Sequence, residues 1–249
     1  MKLRQFTESH PALSAVLFAA LQFGITFLIL AAGKQFAPPQ AFGKIKLLAF
    51  ASTVLLPVLM VQALGMWREI GLGAGKASPF FVACILPIAM FASMGVRLPE
   101  SGIGGDLLIQ LINAFGEELL FRGVIFLILL RLPVAQAIVL NGLLFGSMHL
   151  MHGYMDGNWP AAFKWALMSA AAGMMFTAAR YRVANLWWVV LLHMVLNLSS
   201  MYSNVETVAG ADVNLMVQYA TKVVEVVLAL YVIVTAYRSE PVRPNQQLA

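Results

Sequence analysis

The stretch Asn113-Ala-Phe-Gly-Glu-Glu-Leu-Leu-Phe-Arg-Gly123 sets two carboxylates and a guanidinium inside an apolar run from Leu107 to Leu130. Residues four apart share a helix face, so Glu118 and Arg122 pair on one turn. Glu117 lies about 100° round the helix from Glu118 and is left over. An unpaired carboxylate in such a setting suits a general base acting on water. Two further groups follow in other apolar runs. Phe145-Gly-Ser-Met-His149 places a histidine one turn after an aromatic, on the same face. His193-Met-Val-Leu-Asn197 sets a histidine and an asparagine side by side. A base for water and donors for an oxygen that becomes negative are what peptide hydrolysis needs. Glu117, His149 and His193 are also the residue types that hold zinc with one position open. The helix signature H-E-x-x-H is absent.

Such side chains need elements that can carry them through an apolar medium. The run from Leu107 to Leu130 is long enough to cross a bilayer, which takes about 20 residues. Each charge there costs roughly 2.5–3.5 kcal/mol, and each Leu, Ile, Val or Phe returns roughly 0.3–0.6 kcal/mol. The run holds sixteen of these apolar residues, which nearly offset three charges. A segment so balanced must face protein or water on one side.

The whole chain agrees with that setting. Of its 249 residues, 61% are hydrophobic and only 11% charged, with a mean hydropathy of +0.82. Soluble domains have roughly 45–50% apolar and about 25% charged residues. The sequence therefore predicts an all-α, polytopic transmembrane bundle forming a single membrane-embedded domain over residues 1–249. The net charge of +5 is scattered among short connections rather than clustered, which argues against nucleic acid and for an anionic lipid surface. The lone Cys84 excludes an intrachain disulfide framework and reads as a small packing residue.

About eight spans are expected, with edges near Pro11–Gly33, Leu47–Met66, Pro79–Gly95, Leu107–Leu130, Val134–Met151, Ala161–Ala179, Leu186–Tyr202 and Leu215–Tyr237. The first is too long for the apolar core of a secretory signal, about 7–15 residues, and reads as a retained span. Met1–His10 reads as a polar head, and Pro87 as a kink in the third span. His152–Pro160 and Ser203–Asn214 read as loops, which makes His152 background. Arg238–Ala249 reads as a disordered tail. The small residues Ser169-Ala-Ala-Ala-Gly173 favour close helix contact, and Asn141 and Gln62 favour interhelical hydrogen bonds. Lys222 and Glu225 are spaced to pair along the last span. Nine Lys and Arg on the side of the termini against six on the other place both termini in the cytoplasm, as in a multi-pass protein of a bacterial inner membrane.

Glu117-Glu118-x-x-x-Arg122, Phe145-x-x-x-His149 and His193-x-x-x-Asn197, in that order on successive apolar helices, resemble the CPBP family. These are the CAAX-type prenyl endopeptidases and the bacteriocin-processing (Abi) intramembrane proteases. The resemblance covers about 107–202; before it, only hydropathy and the Gly71-Leu72 boundary segment are shared. It implies an intramembrane endopeptidase in which Glu117 and His149 activate water. His193 and Asn197 would stabilise the oxyanion or complete a metal site, while Glu118, Arg122 and Phe145 support the constellation. Members of the family have been described both as metalloproteases and as metal-independent glutamate enzymes, so a zinc ion is left open. The implied partners are membrane lipid and a peptide or lipidated-peptide substrate, prenylated or bacteriocin-like. A proton-coupled transporter using Glu117, Arg122, His149 and His193 as a relay is the alternative from another class, and an inactive scaffold is a third. Neither inverted repeats nor paired broken helices, the marks of many transporters, are visible. The spans as drawn set His149 near the outer end of its helix and Glu117 and His193 nearer mid-membrane, a mismatch that a later start or a tilt of the fifth span would remove.

Overall fold

Proline and glycine punctuate the chain where the sequence changes from apolar run to connection. Pro11, which needs no amide partner at a first helical position, opens a 26-residue helix, and Gly65 in the left-handed conformation (φ 65°) closes a 23-residue one. The computed structural model describes residues 2–100 and 102–238. In chain order its helices are α1 (Lys2–Ser9), α2 (Pro11–Phe36), α3 (Phe42–Leu64), α4 (Pro79–Ala83), α5 (Leu86–Phe91) and α6 (Gly104–Glu118). Then follow a π turn (Leu119–Ile125) running into α7 (Phe126–Leu129), and α8 (Val134–Ser147) with a 3-10 turn (Met148–Leu150) leading to α9 (Met151–Asp156). The last four are α10 (Trp159–Arg182), α11 (Leu186–Met201), α12 (Val205–Ala209) and α13 (Ala211–Arg238). Among the described residues the only β pairing is one isolated bridge, Val96 with Ser203.

The fold is the expected all-α bundle. Four helices, Pro11–Phe36, Phe42–Leu64, Val134–Asp156 and Ala211–Tyr237, are long and apolar enough to cross a membrane. The remaining expected spans correspond to the charged central helix, to α10, and to the shorter apolar helices Pro79–Phe91 and Leu186–Met201.

Several edges differ from expectation, each for a physical reason. The third span is broken into α4 and α5 rather than kinked, because Pro87 offers no amide to the preceding turn and its ring crowds that turn's carbonyl. The polar head is helical as α1, tied down by Arg4 to Glu69 at 3.5 Å and by Glu8 to Arg131 at 3.2 Å. The expected loop after Met151 is helical as far as Asp156, and Gly157 at φ 70° ends it. The loop after Ser203 contains α12. The tail beyond Arg238 lies outside the described residues.

Two packing features position the functional groups. First, α8 and α10 touch through small residues. A Cβ on Gly146 would stand 2.4 Å from the Ala166 carbonyl oxygen, and one on Gly142 would stand 2.9 Å from that of Ala170. In lipid, where apolar surface gains nothing by self-association, close backbone approach of this kind is what holds helices together. Second, buried Arg180 donates to four carbonyls: Val183 (2.8 Å), Ala184 (2.6 Å), Glu69 (3.2 Å) and Ile70 (3.0 Å). Gly71 beside it (φ 71°) meets the Ala184 carbonyl so closely that a Cβ would stand 2.0 Å from that oxygen. This clamp joins the boundary segment to the α10–α11 turn and sets where α11, with His193, enters the bundle.

Candidate active site

The site is built on α6 and the π turn that continues it. Glu118 and Arg122 are fully buried and paired at 3.0 Å. The guanidinium also donates to the Gly173 carbonyl on α10 at 2.9 Å and lies 4.5 Å above the Phe145 ring. A π turn widens the helix and often marks a functional segment. Here the Phe121 carbonyl accepts from Phe126 in the widened turn and from Asn141 of α8 at 2.7 Å. Asn141 in turn accepts from Thr177 of α10 at 3.0 Å. Asn141 is thus the interhelical partner the sequence suggested. Gln62 is not: it accepts from Trp67 at 2.7 Å at the end of its own helix. Lys222 pairs with Glu225 at 2.9 Å as expected.

His193 of α11 bridges the two adjacent carboxylates. Its Nδ1 lies 2.7 Å from Glu118 Oε1 and its Nε2 lies 3.7 Å from Glu117 Oε2. An ionised carboxylate only accepts, so the Glu118 contact assigns the proton to Nδ1 and aims Nε2 at Glu117. A gap of 3.7 Å is too long for a direct hydrogen bond and is the kind that a water spans. The imidazole is held flat against Phe176, centroids 4.8 Å apart, with the edge of Phe145 at 5.8 Å.

His149 stands on the 3-10 turn after α8, its ring edge-on to Phe145 at 5.5 Å and 5.7 Å from Trp165. Its Nδ1 is buried beside the backbone of Phe145 and Gly146. The fifth expected span continues as α9 to Asp156, so His149 is not at its end and lines the same cavity as Glu117 and His193. His152, taken for background in a loop, lies on α9, stacks on Trp165 at 4.3 Å and faces Asp156 at 3.3 Å.

Glu117, His149, His193 and Asn197 all line one cavity of about 1240 Å³, and Phe145 and His152 line it too. Glu117 is 23% exposed there, whereas Glu118 is sealed off. Asn197 donates to Gln110 Oε1 at 3.0 Å. Gln110 escaped the sequence reading. The available signal was its spacing, two turns before Glu117 and one before Asn113, all three on the cavity wall.

A zinc centre drawn from Glu117, His149 and His193 is the other use these residue types allow. Among the described residues no group of three His, Cys, Asp or Glu side chains is arranged to hold a metal ion. The Nδ1 contact with Glu118 leaves only Nε2 of His193 facing the cavity.

Residues 101–199 match the family described as type II CAAX prenyl endopeptidase Rce1-like. The segment belongs to the CAAX-protease (CPBP) family. That match spans the central helix, α8 to α10 and most of α11, so every motif of the CAAX-protease segment stands on the cavity or directly behind it. It supports a CAAX-type intramembrane protease acting on a membrane-associated peptide. The matched description is that of the prenyl endopeptidases, not of the bacteriocin-processing members. No curated protein matches the chain.

Proposed function

We propose that this chain is a glutamate-dependent intramembrane endopeptidase, hydrolysing a peptide bond of a membrane-associated, lipidated substrate. The observation that carries this reading is the division of labour between neighbouring carboxylates. Glu118 is sealed off and committed to Arg122 and His193, while Glu117 reaches the cavity. A water held in the cavity beside Glu117 and His193 has acceptors in both. As its oxygen attacks the scissile carbonyl carbon, its proton passes to Glu117 and His149 helps to orient it. The carbonyl oxygen becomes an oxyanion, stabilised by the Asn197 amide and by His193 when its Nε2 carries a proton. Collapse breaks the C–N bond, and Glu117 returns the proton to the leaving amine.

The substrate enters from one end of the bundle. Lys34, Lys46, Asp156 and Lys164, at the outer lining of the cavity, lie at the opposite end from α1 and the last turn of α13. With the termini in the cytoplasm, the entrance faces the other compartment.

The test is turnover of an internally quenched farnesylated CAAX peptide by the purified chain in proteoliposomes. Glu117→Gln should lower kcat at least 100-fold, the lower end of general-base effects of about 10²–10⁴. Full activity in that variant would defeat the reading.

A further inference from the structure

Helices α6 and α11 run antiparallel, and their polar side chains meet in successive rungs. Glu117 faces His193 at 3.7 Å, Gln110 meets Asn197 at 3.0 Å, and Asp106 accepts from the Tyr202 hydroxyl nearer the mouth. The first rung holds the base. The second contains a residue outside all three motifs. The bond to Gln110 is the only side-chain hydrogen bond of Asn197 among the described residues.

We infer that Gln110 is a positioning residue for the hydrolysis, fixing the carboxamide of Asn197 so that it presents an N–H to the oxyanion. The inference rests on the role proposed above for Asn197. The terminal torsion of an asparagine is broad, so an amide standing in a wet cavity turns over freely unless something holds it. A turned amide offers its oxygen, and an oxygen repels the developing negative charge. An oxyanion donor is effective because it is already aimed when the charge appears. With one N–H of Asn197 Nδ2 engaged by Gln110 Oε1, the carboxamide plane is set and the second N–H is left for the site. Gln110 is itself partly buried on the helix that carries Glu117, so base and donor are referred to one rigid element.

Four variants of the full chain, assayed on the farnesylated peptide, test this. Gln110→Leu removes the acceptor and should lower kcat about 10- to 100-fold, less than or equal to the loss of a whole oxyanion donor at about 10²–10³. KM should stay within about twofold, since the ground-state carbonyl does not use the interaction. Gln110→Glu keeps an acceptor oxygen and should recover kcat only where the added carboxyl is protonated, so its rate should rise relative to that of Gln110→Leu as pH falls. The double variant Gln110→Leu with Asn197→Ala should be no slower than Asn197→Ala alone, because one residue acts through the other. Multiplying losses in the double variant, or a Gln110→Glu protein as slow as Gln110→Leu at every pH, would overturn the inference. A Gln110→Leu protein at wild-type kcat, with Asn197→Ala impaired, would overturn it too and leave the hydrolase reading standing. Unimpaired Asn197→Ala would instead strike at the oxyanion role itself. Should Gln110→Leu lose its melting transition, Gln110→Met, with the length and flexibility of glutamine, takes its place.

Discussion

Glu117 and Glu118 are neighbours in the chain, yet one is 23% exposed on the cavity and the other is fully buried against Arg122. A rotation of about 100° between successive helical residues separates a candidate base from an anchor. His193 reads both, with one ring nitrogen on each.

The two carboxylates should therefore fail differently. Glu117→Gln should leave the melting temperature nearly unchanged while turnover disappears. Glu118→Gln removes the charge opposite a buried guanidinium, and breaking one side of a buried pair costs about 3–5 kcal/mol. Its thermal unfolding in detergent should shift down by several degrees. Equal melting curves for the two variants would contradict the assignment.

His149 makes ring contacts on the wall of an existing cavity, so its removal opens no new enclosed void and should cost little in folding. His149→Ala should destabilise by no more than about 1 kcal/mol. It should lower kcat by about 10²-fold or more, as expected of a group acting on the attacking water. A variant that loses stability and keeps its rate would mark His149 as packing.

The donor geometry also bears on metal. Incubation with a strong chelator such as 1,10-phenanthroline, followed by its removal, should leave turnover within about twofold, since a Glu–water mechanism needs only positioned acid and base groups. Activity lost on chelation and restored by zinc would contradict a metal-independent Glu117.

Sidedness is open to direct measurement. In a Cys84→Ser background, Gln5→Cys marks the end of α1 and Lys44→Cys marks the end bearing the cavity mouth. In right-side-out vesicles an impermeant maleimide should label Lys44→Cys and spare Gln5→Cys. The reverse pattern would put the entrance in the cytoplasm and would correct the charge count.

Much of the candidate site was legible because intramembrane polar groups are costly and therefore stand out from an apolar background. Glu117, Glu118, Arg122, His149, His193 and Asn197 are such groups, and helical periodicity alone pairs Glu118 with Arg122. Gln110 and His152 did not stand out. An amide is cheaper in lipid than a charge and is common as interhelical glue, and His152 sat beside the glycine and aspartate expected of a loop. The break of the third span was half visible, since Pro87 marks the place while the packing around it decides between bend and interruption.

What the chain determines by itself is one-dimensional: which segments are apolar enough to be helices in a membrane, which residues can ionise or donate, and how many residues apart they lie. Composition and spacing suffice for that, because the energy of each residue in lipid and the pitch of a helix are local properties. Which groups meet was decided only in three dimensions. The close approach of α8 to α10 through Gly142 and Gly146, and the Arg180 clamp on the α10–α11 turn, bring helices from distant parts of the chain to one cavity. Those contacts depend on the shapes of surfaces separated by tens of residues, and no local rule contains them.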